Sequence, residues 1–301
     1  MRASGPDVLD VVGPVVALVE VVAYLWSATG VAGRRWPRRR SIAWIIGSVT
    51  AAVAVSGPVA DAADTSYTAH MLAHVLVGMA GPLLLVLGAP VTLLLRTLPR
   101  PAGRQLSRLL RWGPVRFLTE PVVAALLSVG GLWLLYTTRL YDVMHRDSLV
   151  HAVVHVHMFV AGYLFATSIV GVDPMRHRRR YAHRAGVLVI ALAMHDILAK
   201  YLYSHPPVGV GQPSGQFGAI IMYYGGDTVD LAIAVLLCAA WYRAARPRAM
   251  GPPSRPWPPV VFVKPPTGLP LDEEPRCRQP VVRPPTSRRL VWPARSLRVR
   301  R

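Results

Sequence analysis

The chain has 301 residues, 52% of them hydrophobic and only 16% charged, where a soluble domain of this length carries about a quarter. Its formal net charge is nonetheless +19, which excludes an ordinary soluble domain and fits a membrane protein whose cations lie in loops. The long apolar runs argue against a nucleic-acid partner, and Cys238 and Cys277 form no CxxC pair that would support a redox dithiol or a thiolate metal clamp.

In chain order, seven stretches reach the roughly 20 apolar residues that a crossing helix needs. They lie near 8–29, 41–60, 67–95, 118–138, 149–171, 185–204 and 218–243. The first has Asp7 and Asp10 at its start and its cations behind it, so it reads as an uncleaved span rather than a signal peptide. The third is interrupted at Gly81-Pro82 and at Gly88-Ala89-Pro90, where a kink or an interfacial segment is predicted. Between the third and fourth, Leu106, Leu109, Leu110 and Phe117 alternate with spaced arginines. That stretch reads as one amphipathic surface helix, over 104–117, against anionic lipid headgroups. From residue 244 onward the chain holds half of the 28 prolines and no continuous apolar run. A transmembrane domain over 1–243 is therefore predicted to be followed by a disordered, basic tail over 244–301.

The loops set the expected orientation. Arg34, Arg35, Arg38, Arg39 and Arg40 fill the first connection, six arginines from Arg96 to Arg116 the third, and Arg176, Arg178, Arg179, Arg180 and Arg184 the fifth. The second and sixth hold none, and the fourth only Arg139 and Arg146. Cytoplasmic loops retain cations. The predicted fold is thus an all-α seven-transmembrane helix bundle, N-terminus outside and C-terminus cytoplasmic.

Ionisable side chains inside spans are expensive and are read as functional candidates. His70 and His74 stand at i and i+4 in the third span, and His151 and His155 repeat that spacing in the fifth, so each pair shares a helix face. The sixth span carries Met194, His195 and Asp196, then Lys200; the seventh carries Met222, Asp227 and Asp230. At 1.5 Å per residue, His74, His155, His195 and Asp227 all fall roughly 9–14 Å below the outer ends of their helices. Such a common layer points to one site. Imidazole, carboxylate and the thioethers of Met71, Met158, Met194 and Met222 suit copper, particularly Cu(I), and would also admit zinc. Asp196 and Asp227 also have a plainer reading as partners orienting histidine N–H groups, and the methionines as core filler.

These residues also carry a resemblance. The stretch 68–74 with His70, Met71 and His74, followed by 81–90, is similar to the signature of the CtaG family of cytochrome c oxidase (caa-type) assembly proteins. Blocks at His151 to His155, His195-Asp196 and Gln216 to Gly226 agree, and the resemblance covers roughly residues 40–243. Family members usually show an Asp-Gln pair near the start of the last block and a Trp after its Met. Here Gln212 and Gln216 lack that Asp, and Tyr223 replaces the Trp. The resemblance implies a cytochrome c oxidase assembly factor that handles copper on the outer side of the membrane, with oxidase subunits as partners. The metal candidates are His70, His74, His151, His155, His195, Met71, Met194, Asp196 and Asp227. A b-type haem protein, with two of these histidines as axial ligands, and a copper or proton permease, using Asp196, Lys200, Asp227 and Asp230 as a relay, are the alternatives. No nucleophile–base pair or phosphate loop suggests an enzyme, and Gly225-Gly226 reads as a close helix contact.

Overall fold

A computed structural model describes residues 8–31, 35–174 and 178–246; the predicted tail beyond 246 lies outside them. Every regular element among the described residues is helical. Backbone N–H and C=O groups find no water in hydrocarbon, so a spanning segment must satisfy them within its own helix.

Five stretches are long and apolar enough to cross a membrane. They are α1 (Val8–Thr29), the run Tyr67–Thr97, α12 (Ser148–Val170), α13 (Tyr181–Ser204) and α14 (Gln212–Ala245). Two bent pairs raise the count to seven if each is one span. In the first, α2 (Arg38–Val55) turns by 41° into α3 (Pro58–Thr65), which makes a helix of the predicted second loop. Gly57, at φ 70°, takes the left-handed backbone that this turn requires.

Large apolar side chains point outward at helical spacing. Val15, Leu18, Val19 and Val22 do so on α1, Ile42, Ile46, Val49 and Val53 on α2, and Leu149, Val153, Val156 and Val160 on α12. Facing water, strips of this size would be strongly unfavourable; facing lipid tails they cost nothing. The protein is therefore a multi-pass membrane protein.

The run Tyr67–Thr97 divides where the sequence predicts. It comprises α4 (Tyr67–Val75), a π-helical turn (Leu76–Ala80), α5 (Gly81–Gly88) and α6 (Pro90–Thr97). Pro82 has no N–H and its ring opposes the carbonyl four residues back; the wider π turn just before it takes up the mismatch. The displaced backbone faces α12, where the position of a Cβ on Gly162 would overlap the carbonyl of Gly78. Ala89, at φ 54°, ends α5. Asp173 then accepts hydrogen bonds from Val91 N (3.3 Å) and Thr92 N (2.8 Å) in the first turn of α6.

The single surface helix expected over 104–117 is instead α7 (Arg100–Leu109) and α8 (Gly113–Leu118). Pro114 lacks the N–H that would continue the ladder, and Trp112 adopts an extended conformation before it. The second bent pair follows. Here α9 (Pro121–Ala125), a π turn (Leu126–Gly130) and α10 (Gly131–Thr137) lead through an 80° bend into α11 (Leu140–Arg146). The predicted fourth loop is thus largely helix. At the far end of α12, Gly171 adopts φ 66°, and the buried Arg184 guanidinium donates to the carbonyls of Ile169 and Val170.

The central helix is α4. It packs on α14, and the π turn that follows it packs on α12, while α13 lies against α14. This arrangement brings the histidine-bearing faces together.

Candidate functional site

Ser66 caps α4, its hydroxyl accepting from Ala69 N at 3.4 Å, and the helix then places His70 and His74 one turn apart. Both are buried, each about 2% exposed. They face different neighbours.

His70 sits in an aromatic cage. Its Nε2 is 3.2 Å from the Tyr136 hydroxyl. The rings of Tyr141, His145 and His155 have centroids 5.3, 5.7 and 6.2 Å away. Tyr141 and His145 arrive on α11, which the 80° bend folds back over α4. His151 packs edge-on against His155 at 4.2 Å. The Nδ1 of His155 is 3.0 Å from the carbonyl of His151, and that of His145 is 2.9 Å from the carbonyl of Tyr141. A carbonyl oxygen only accepts, so Nδ1 carries the proton in both rings and the lone pair of the neutral imidazole resides on Nε2. Metal-ligating histidines commonly have one ring nitrogen held in this way.

One turn deeper, His74 faces His195 of α13, with centroids 6.3 Å apart. The Cβ position of a side chain at Gly226 would lie 2.3 Å from Cε1 of His195, so the absence of a side chain there is what seats this histidine. Neither nitrogen of His74 or His195 has a hydrogen-bond partner among the described residues. A buried polar group left without one costs about 1–3 kcal/mol, and two whole imidazoles so placed require something to satisfy them. A cavity of about 40 Å³ beside the pair is lined also by Met79, Met158 and Asp230.

The donor set therefore fits a metal ion in type: buried imidazole nitrogens without partners, and a thioether. Among the described residues, however, no three His, Cys, Asp or Glu side chains stand close enough to hold one ion. At metal–nitrogen distances of about 2.0–2.1 Å, ring centroids near 6 Å apart allow two histidines to share an ion, but not three without movement.

The remaining candidates divide. Asp196 lies 4.0 Å from His195 Nδ1, and Asp227 lies beside Asp196; both are half-buried. Met71 is fully buried, yet it packs against Gly218 of α14 as part of the core. Met194 is 40% exposed and is not brought to the histidines. The thioethers lining the cavity beside them are those of Met79, in the π turn, and Met158, on α12.

Tyr136, Tyr141, His145 and Met79 are absent from the sequence-derived set, in which Asp230 stands only as a relay residue. Tyr141 and His145 repeat the i, i+4 spacing, but that signal has meaning only once the fourth connection is helical and folded back.

The chain is similar to uncharacterised proteins of Mycobacterium bovis and Mycobacterium tuberculosis, each 36% identical over 170 residues, and of Mycobacterium leprae, 34% identical over 171. Each match covers 54% of this chain and 26% of the relative, so the chain spans about a quarter of the length of these relatives. No solved structure matches it. The family described as cytochrome c oxidase caa3 assembly factor matches residues 22–244, a range that contains every helix building the histidine cluster. The chain belongs to that family.

Proposed function

We propose that the protein assists assembly of cytochrome c oxidase by holding copper, as Cu(I), transiently between α4, α12 and α13, near the outer face of the bacterial plasma membrane. Family membership supports an association with the oxidase and a role that is not catalytic. The copper reading rests on one observation above others. His74 and His195 are buried, have no hydrogen-bond partner on any ring nitrogen among the described residues, and border a cavity that Met79 and Met158 also line.

In this reading the ion is cargo. His155 and His145, each anchored through Nδ1 to a backbone carbonyl, present Nε2 towards the His70 layer. His70, with His151 and His155 at its outer side, receives the ion first; His74 and His195 hold it one turn deeper, with Met158 as a soft third ligand. A set that stops short of a closed tetrahedron suits release to a partner, because a saturated site would retain the ion. Asp196 and Asp227 compensate the added charge. The alternation of arginine-rich and arginine-free connections supports placing this layer outside. A b-type haem has less support, since the cavity of about 40 Å³ is far below the 300–1,000 Å³ or so of pockets that hold larger ligands.

Anaerobic Cu(I) titration of the detergent-purified chain tests this. Wild type is expected to bind about one ion. His74→Ala/His195→Ala is expected to abolish binding, and His70→Ala/His155→Ala to weaken it. Wild-type protein that takes up no Cu(I) would falsify the copper reading and leave the assembly role on family membership alone.

A further inference from the structure

A second cluster of charge lies at the opposite end of α12 from the histidines. A cleft of about 350 Å³ opens there, between α8, α9, the last turns of α12 and the connection to α13. Arg116, Arg178, Arg179 and Arg180 line it, with Glu120 as the only acidic residue among the described residues and Thr167 and Ser168 at its base. Glu120 is already engaged: its carboxylate accepts from the Arg179 guanidinium at 2.9 Å, with His183 at 3.4 Å. Arg178 is held in place across Gly171 and donates to the carbonyl of Asp173. Arg116 and Arg180 have no acidic partner among the described residues. Four guanidinium groups around one cleft, with one carboxylate spent on a single arginine, form a strongly positive concavity.

We infer that this cleft binds a phosphate-bearing anion, and that its source is the headgroup of an anionic phospholipid. The planar, forked guanidinium matches phosphate oxygens in a bidentate way, which a diffuse surface charge does not. The setting favours the lipid. Leu109, Trp112 and Phe117, between 53% and 63% exposed, project from the α7–α8 segment beside the cleft. Exposed aromatic and aliphatic side chains next to arginines mark the headgroup level of a bilayer, where a phosphate lies above and acyl chains below. The site is separate from the histidine layer and independent of the copper reading.

The test uses the full chain in detergent, with short-chain phosphatidylglycerol as probe, phosphatidylcholine as the neutral-headgroup control and inorganic phosphate as competitor. Binding is followed by native mass spectrometry and tryptophan fluorescence. Wild type is expected to bind about one phosphatidylglycerol in preference to phosphatidylcholine. Arg116→Gln/Arg180→Gln is expected to weaken that binding about tenfold or more. Arg104→Gln/Arg108→Gln removes the same charge from α7 but not from the cleft, and is expected to change it by less than about twofold. Arg116→Lys/Arg180→Lys keeps the charge and loses the fork, and is expected to fall between. Competition by millimolar phosphate would leave the phosphate site standing and assign its source to the free ion instead. Equal loss in the two glutamine pairs, or no preference for phosphatidylglycerol, would overturn the site in favour of general surface attraction.

Discussion

Gly225 and Gly226 are adjacent and chemically identical, yet they face different things. A Cβ on Gly225 would meet Val75 at 3.4 Å, an ordinary contact, whereas one on Gly226 would collide with the His195 ring. Gly225→Ala is therefore expected to be near neutral. Gly226→Ala is expected to displace His195 and destabilise the protein by about 1–3 kcal/mol, the range for overpacking a tight site. Thermal unfolding in detergent, together with Cu(I) binding, reads both effects; equal behaviour of the two variants would remove the assigned role of Gly226. At this scale the histidines themselves were legible, because i, i+4 spacing puts two side chains on one helix face. Their partners were not. His70 meets His145 and His155, and His74 meets His195, across helices rather than along them. Spacing within one helix carries no information about which turn of another helix lies opposite. Met194 shows the same limit: its neighbour His195 points inward, and one residue along a helix rotates the side chain by about 100°, towards lipid.

Among the five long candidate spans, α1 is held least. Its apolar side chains face outward almost throughout, and its buried anchor is Tyr24, whose ring stacks on Trp44 at 4.7 Å. The Tyr24 hydroxyl donates to the carbonyl of Gly88 at 2.7 Å and accepts from Trp36 Nε1 at 2.9 Å. Tyr24→Phe keeps the stacking and removes both hydrogen bonds, leaving a carbonyl and an indole N–H to find other partners. A loss of about 1–3 kcal/mol is expected, seen as a lower unfolding midpoint and faster proteolysis after α1. An unchanged midpoint would mean that stacking alone docks the helix. The breaks in the third span were readable because proline and glycine act on their own backbone. The fold-back of α11 was not, since nothing local in residues 137–140 specifies an 80° bend; packing of Tyr141 and Met144 into the core does. The break at Gly113-Pro114 lies between these cases, present in the sequence as a proline but masked by the amphipathic pattern around it.

For the molecule as a whole, the arginine alternation predicts sidedness, and it is testable independently of any metal. In a Cys238→Ser/Cys277→Ser background, Thr65→Cys and Ser204→Cys are expected to react with a membrane-impermeant maleimide in intact cells. Gln105→Cys is expected to react only after permeabilisation. Reaction of Thr65→Cys and Gln105→Cys from the same side would show that the run Tyr67–Thr97 does not cross, and would sink the seven-span arrangement. By itself the sequence determined what depends on composition and on neighbours along the chain. That includes the membrane class, the candidate spans, the proline-directed breaks and the residues able to bind a metal. These follow from transfer free energies and backbone sterics, which act locally. The tertiary structure alone decided which histidines share a layer, that Tyr136, Tyr141 and His145 close over His70, that Met79 and Met158 rather than Met194 border the cavity, and that arginines from two distant segments surround one cleft. Each of these depends on the rotation and depth of one helix against another. Close approaches such as Gly162 on Gly78 and Gly226 on His195 set those quantities, and such contacts are formed between residues far apart in the chain.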